Sequence, residues 1–311
     1  MKIQDDYWSD YWRKDGAGGE VFVDAAGNKP KYLVEHWQAQ FSAMEGVERV
    51  LDVACGGGSI FEDLLPLQVA KLQLCATDLS QSALDILKQR MPQVTTSCGS
   101  ATSMEYPDAN FNCLVSQFGI EYAGDDAFRE AARVLAPRGQ LNFLMHIEDG
   151  YIDLRNKSLL IGAKAAISSQ FIPTAIELIK ASFKGTPSKL RKAKQTFQIA
   201  ERKLSACMQE HPEGIHQHLY MGFLKMFSKY QAYHQQDIVG WLQVMQKDIK
   251  KMIVKVQAIR DVSLSKDKID EIKDILSANE VTHIELDTLS LPAADQEHLR
   301  YAVAWHLKAI K

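Results

Sequence analysis

The stretch LDVACGGGSIFEDLL holds the residues best suited to gripping a ligand: Asp52, then Gly56, Gly57 and Gly58, then Ser59. Glycines let a backbone approach a bound molecule closely, and a helix starting near Ser59 would present unpaired N–H groups with a partial positive charge. A carboxylate or a phosphate is the natural guest of such a bend. Spacing excludes two common phosphate binders. A dinucleotide fingerprint Gly-x-Gly-x-x-Gly begun at Gly56 needs a glycine where Phe61 stands, and begun at position 54 it meets Ala54 and Ser59. No Gly-Lys-Ser or Gly-Lys-Thr follows the glycines, which removes a P-loop. Further on, LQLCATDLS puts Asp78 where a carboxylate can accept both hydroxyls of a ribose. The plain alternative for Asp78 is a helix cap, but Ser80 already supplies one.

These residues need a scaffold that brings strand ends together. From 49 to 147 short β-rich runs alternate with helical stretches, the pattern of βαβ units and a parallel sheet. Strands are predicted at 49–53, 72–77, 95–98, 111–117 and 140–147. Ser80 caps a helix over 81–91, Asp125 caps one over 126–136, and Pro137-Arg138-Gly139 turns the chain into the fifth strand. Near the C-terminus a helix over 266–277 precedes two alternating runs, 281–289 and 299–310, which read as a closing strand pair. About 110 residues between the fifth strand and that tail look almost wholly helical, too many for a loop. The expected fold is α/β: a doubly wound, Rossmann-like, mostly parallel seven-stranded sheet with a C-terminal antiparallel strand and a helical insert or lid. The expected division is an N-terminal helical cap over 1–46, a sheet domain over 47–149 and 261–311, and the insert over 150–260.

Charge follows the same division. The formal net charge of −3 hides −10 over residues 1–150, +11 over 151–260 and −4 over 261–311. The basic middle is read first as solvated lysine faces. No run reaches the roughly 20 apolar residues of a membrane span, because 158–179 is interrupted by Lys164 and Pro173. The opening MKIQDDYWSDYW lacks an apolar core behind a basic start and is not read as a secretory signal. Five cysteines without a Cys-x-x-Cys suggest neither a disulfide framework nor a zinc cage, so a cytoplasmic location is expected. The histidines of HPEGIHQH lack a helical i, i+4 pair with a carboxylate partner, and no metal is expected.

Taken together, Asp52, Ala54, Gly56 and Gly58, followed 26 positions after Asp52 by Asp78, resemble the first two motifs of the class I S-adenosylmethionine-dependent methyltransferases, in particular the group that includes quinone-ring methylases. Ala54 replaces the family's first glycine. The resemblance implies that Ala54, Gly56 and Gly58 lie against the methionine part of the cofactor, that Asp52 meets its amino group, and that Asp78 with Leu79 holds the ribose. SCGSATSMEYPDANFNCLVSQFGIEY resembles the adenine-binding stretch. Ser100 stands where the family has an acid, so Ala101 N–H is left to serve the ring, and Gln117 sits where the fourth strand opens. The Asn-Pro-Pro-Tyr of nucleobase amino-methylases is not found. The resemblance covers 47–146 strongly and 266–311 loosely.

Methyl transfer needs alignment of the acceptor and exclusion of water, with a base where the acceptor is a hydroxyl or a protonated amine. His146 and Glu121, both at the carboxyl edge of the sheet, are the candidate catalytic residues, His146 preferred; the plain alternative is a packed histidine. The aromatic run from Tyr7 to Trp12 makes a sticky helix face, and Tyr7 or Tyr11 would wall the sulfonium, with a hinge over 14–19. Met221, Phe223, Leu224, Met226, Phe227 and Tyr230 read as core first and acceptor pocket second. The function expected is methyl transfer from S-adenosyl-L-methionine to a small-molecule or lipid-like acceptor, anionic if the basic insert meets it. The alternatives are an RNA methyltransferase using the lysines and arginines of 184–203, and a non-catalytic scaffold. Nucleic acid is the less favoured partner because aromatic residues scarcely interleave those cations. The oligomeric state is not legible.

Overall fold

The computed structural model describes residues 8, 11–13, 29–44, 46, 48–64, 70–293 and 296–311. The expected sites at Tyr7 and over 14–19 lie outside these residues. Contacts divide the chain into two units, 1–152 with 262–311, and 153–261.

In the first unit α1 (Lys31–Ala43) precedes β1 (Arg49–Val53), α2 (Ser59–Glu62), β2 (Gln73–Asp78), α3 (Gln81–Arg90), β3 (Thr95–Cys98) and β4 (Phe111–Gln117). A 3-10 turn, Ile120–Ala123, leads to α4 (Asp125–Val134) and β5 (Leu135–His146). The strands form one seven-stranded sheet in the order β3-β2-β1-β4-β5-β7-β6, where β6 is Thr282–Ala293 and β7 is Gln296–Ile310. The first five are parallel, and β7 lies antiparallel to both β5 and β6. The strand order reverses between β1 and β4, which opens a crevice at their carboxyl ends.

Alternation along the strands builds a core on each face. Val50, Leu74, Cys113 and Val115 pack with Trp37, Phe61, Leu84 and Leu87. Leu51, Val53, Cys75 and Leu114 turn the other way, toward Phe128, Phe143 and Ile272. Ser80 caps α3, accepting from Ala83 N–H at 3.4 Å. Asp125 is not the cap of the next helix: Gly124 holds that position, and Asp125 lies in the first turn, paired with Lys268 at 2.8 Å. Nor does β5 begin after the Pro-Arg-Gly turn. Leu135 already pairs with Phe111, and the chain then slips register before Gln140 joins Cys113, with Arg138 left-handed at φ 65. The turn is absorbed into the strand because Arg138 N–H and Gly139 C=O bond the backbone of Lys311.

The second unit is helical. After α5 (Tyr151–Ser168) come α6 (Phe171–Lys184), α7 (Pro187–Glu210), α8 (Ile215–Phe227) and α9 (Gln235–Asp261), and α10 (Lys266–Ala278) then returns the chain to the sheet. Its core joins Phe171, Phe197 and Phe223, whose rings lie 5.1–5.5 Å apart, to Ile238, Leu242 and Ile249. Buried Asp153 bonds Arg260 at 2.8 Å and ties the two ends of the unit. Phe223 is therefore core and Met221 is exposed. His211 and His216 are engaged locally: His211 Nδ1 bonds Ser158 Oγ at 2.8 Å and His216 Nε2 bonds the His211 carbonyl at 2.7 Å. Among the described residues no single helix is long and apolar enough to cross a membrane. α5 and α6 reach that composition together but bend by 43°.

Candidate active site

The site begins where β1 ends. Asp52 is 1% exposed, and neither of its carboxylate oxygens has a hydrogen-bond partner. Burial first, then the negative charge of Asp78, holds its carboxyl well above the usual range, and Lys29 opposes them. An orphaned buried carboxylate is costly unless a donor arrives to meet it.

The chain then enters left-handed backbone at Ala54, φ 55, where a Cβ is strained. Cys55 N–H holds the loop to the sheet through Thr77 C=O at 3.1 Å, and Gly56 and Gly58 follow with φ 52 and 86. Both glycines are sterically required. A Cβ on Gly56 would meet the Trp12 ring at 2.6 Å, and one on Gly58 would meet Leu87 at 2.2 Å. Opposite, Gly119 approaches so closely that a Cβ there would lie 2.6 Å from Ala54 O. The described helix α2 is a single turn, so its dipole contributes less than a longer helix would.

Asp78, at the end of β2, meets this loop directly. Its carboxylate accepts Gly56 N–H and Ser80 N–H, each at 2.8 Å. Burial raises its carboxyl and those two amides lower it. Leu79 beside it is half exposed. After β3, Gly99 N–H bonds the Asp78 carbonyl, Ser100 Oγ shares a hydrogen bond with Thr102 Oγ1 at 2.8 Å, and Ala101 is buried. Gln117, ending β4, accepts Trp37 Nε1–H at 2.6 Å and donates to Ser59 Oγ at 3.3 Å, so it joins α1 to the glycine loop. Lys29 strengthens that junction through Ser59 C=O, at 2.6 Å, and Asp63.

Across the crevice His146 and Glu121 form a buried pair. Glu121 Oε1 accepts the His146 backbone N–H at 2.9 Å and lies 2.7 Å from Nδ1. Glu121 Oε2 is buried without a partner. Phe118, left-handed at φ 53, packs on the His146 ring at 4.6 Å, and Tyr122 meets it edge-on at 6.0 Å. Tyr122 touches Trp8, Trp8 touches Tyr11, and Tyr11 touches Trp12, at 5.5, 5.6 and 5.3 Å. A row of rings thus runs from the glycine loop to His146.

Sequence reasoning named both ends of that row and missed Tyr122, Lys29 and the Trp37–Gln117–Ser59 link. Trp37 and Gln117 are 80 positions apart, and no local pattern connects them.

The acidic crevice suits a cationic guest. The two carboxylates, that of Asp52 without a partner, fit the ammonium and ribose of S-adenosylmethionine. Comparison with known proteins agrees. Residues 50–139 match the family described as "Methyltransferase domain". A demethylmenaquinone methyltransferase of Renibacterium salmoninarum is 34% identical over 96 residues, 30% of this chain and 39% of that protein. The ubiquinone/menaquinone biosynthesis C-methyltransferase UbiE of Pseudomonas fluorescens is 27% identical over 155 residues, 47% of this chain and 58% of that protein. The chain therefore spans between two fifths and three fifths of the length of these curated relatives. Among solved structures, phosphoethanolamine N-methyltransferase 1 of Haemonchus contortus is 14% identical, covering 47% of this chain and 33% of that one with a TM-score of 0.38. Residues 50–139 thus match a methyltransferase domain, and they lie within a mostly parallel, Rossmann-like seven-stranded sheet.

Proposed function

We propose that this protein transfers a methyl group from S-adenosylmethionine to a small-molecule or lipid-like acceptor. The observation that carries the reading is the meeting of Asp78 with Gly56 beside the buried, unpartnered carboxylate of Asp52. When bound, S-adenosylmethionine supplies an electrophilic methyl on a sulfonium. Asp78 would hold the ribose hydroxyls, with Leu79 beside it, and Asp52 would receive the amino group. Ala54, Gly56 and Gly58 would lie along the methionine part. Ser100, Ala101 and Gln117 would line the adenine side, and Tyr11 would help to exclude water.

The acceptor side belongs to His146. With Nδ1 committed to Glu121, Nε2 is the nitrogen left to take a proton from an acceptor hydroxyl. Glu121 fixes the ring's tautomer and orientation and balances the positive charge that the proton brings. The names of the curated relatives, demethylmenaquinone methyltransferase and ubiquinone/menaquinone biosynthesis C-methyltransferase, support a ring-bearing acceptor. We assign acceptor selection to the helical unit and the site itself to a reducing, cytoplasmic setting.

Calorimetric titration tests the cofactor assignment. The wild-type chain should bind S-adenosylmethionine, and Asp78→Ala should weaken binding by about 100-fold or more while circular dichroism stays unchanged. Unchanged affinity in the variant would remove the ribose role. Mass spectrometry of cell extract incubated with an isotopically labelled methyl donor would then identify the acceptor.

A further inference from the structure

We infer that the outer face of α7 is a docking surface for an anionic phospholipid bilayer. The helical unit, 153–261, carries 18 Lys and Arg against 8 Asp and Glu. Six of the 18 lie on α7, and four of those six share one face. Phe197, Ala200 and Leu204 turn α7 into the unit's core. At 100° per residue the opposite side then presents Arg191, Gln195, Ile199 and Arg202 in one stripe, flanked by Lys192 and Lys203, and all six are exposed. Between Arg191 and Lys203 no acid lies on that face. Glu201 is rotated away and accepts from Tyr220 Oη at 3.3 Å, and Glu210 stands at the helix end.

Ile199, 59% exposed, sets an apolar side chain at the centre of this face. A branched apolar side chain centred among four cations matches a surface with phosphates outside and hydrocarbon beneath. The helix, about 36 Å long at 1.5 Å per residue, lays the whole stripe on one plane. A nucleic-acid partner fits less well, because the only aromatic residue of α7, Phe197, is buried and leaves no ring for base stacking. The apolar pair α5 and α6 leaves Leu154 and Ile161 exposed but turns most of its apolar side chains inward. Ala163, Ala166, Phe171, Ile172 and Ile179 are already buried in the unit's core.

Co-sedimentation of the full chain with phosphatidylcholine vesicles, with and without one third phosphatidylglycerol, tests the assignment. Binding is expected to the anionic vesicles only, falling steeply as salt rises. Each cation near such a surface contributes about five-fold in affinity. The quadruple variant Arg191→Gln, Lys192→Gln, Arg202→Gln, Lys203→Gln should therefore bind on the order of several hundred-fold more weakly. Ile199→Ser should lose about ten-fold with the same salt dependence. Lys247→Gln with Lys250→Gln, on α9, should keep affinity within about two-fold, and circular dichroism should stay native for every variant. Equal binding to neutral vesicles, equal losses from the α7 and α9 variants, or tighter binding to a single-stranded RNA than to anionic vesicles would each overturn the proposal. Vesicle binding does not depend on the cofactor pocket, so its failure leaves the methyltransferase reading untouched.

Discussion

Ala54 carries a conformational cost that glycine would not. At φ 55 an L-residue loses about 1–2 kcal/mol relative to right-handed backbone, while a glycine costs about 0.5–1 kcal/mol more in the unfolded chain. Ala54→Gly should therefore stabilise the protein by about 0.5–1 kcal/mol, read as a higher denaturant midpoint at constant slope. Local strain beside a ligand loop is a recurrent feature of functional sites, and Phe118, also left-handed, faces the same crevice. The His146–Glu121 pair makes a separate prediction. His146→Gln should lower methyl incorporation by about 10²–10⁴-fold with cofactor affinity unchanged. Glu121→Gln, which still fills the space but no longer balances an imidazolium, should fall between that variant and wild type. A His146→Gln rate equal to wild type would leave the histidine a packing residue.

Among the elements, α1 works hardest for its length. Its inner face buries Leu33, Trp37 and Phe41, and its polar contacts reach Gln117, Asp63 and Asn142. It also brings His36 against His306 of β7, ring centroids 4.6 Å apart, with His306 Nε2 on Asn142 Oδ1 at 2.8 Å. Burial pushes both imidazoles down to about 4. His306 and Lys308 add to the effect on His36, and Lys308 adds to it on His306, where Asp287 opposes. The unfolded chain takes up these protons below its usual histidine range near pH 6.5, and the folded chain only near pH 4. Stability is thus intact above pH 6.5 and falls as pH drops from there toward 4. His36 Nε2 is buried without a partner, so His36→Phe keeps the edge-on ring contact and removes the orphan. Melting temperatures measured between pH 7 and 4 should fall less steeply in His36→Phe than in wild type; parallel curves would place the acid sensitivity elsewhere.

Over the whole molecule, charge and chemistry are partitioned. The helical unit is basic, and the sheet unit holds 31 Asp and Glu against 18 Lys and Arg. Within the sheet unit, Asp52 and Asp78 lie at the carboxyl ends of the paired strands β1 and β2. On α7 no acid is buried, and Arg191, Lys192, Arg202 and Lys203 are exposed. The residues that match the methyltransferase domain, 50–139, lie wholly in the first unit.

The sequence by itself determined the strands, the helices over 81–91 and 266–277, the helical character of the insert and the glycine loop, because alternation, cap residues and turn chemistry act over a few neighbouring positions. It misplaced the cap of α4 and the start of β5, where a glycine and the C-terminal backbone supplied partners from outside the local window. Only the tertiary structure decided which side chains meet. Glu121 reaches His146 because β4 and β5 are adjacent and parallel, Trp37 reaches Gln117 because α1 crosses the end of β4, and His36 finds His306 across 270 positions. Such encounters follow strand order and helix packing, and linear spacing carries no record of either.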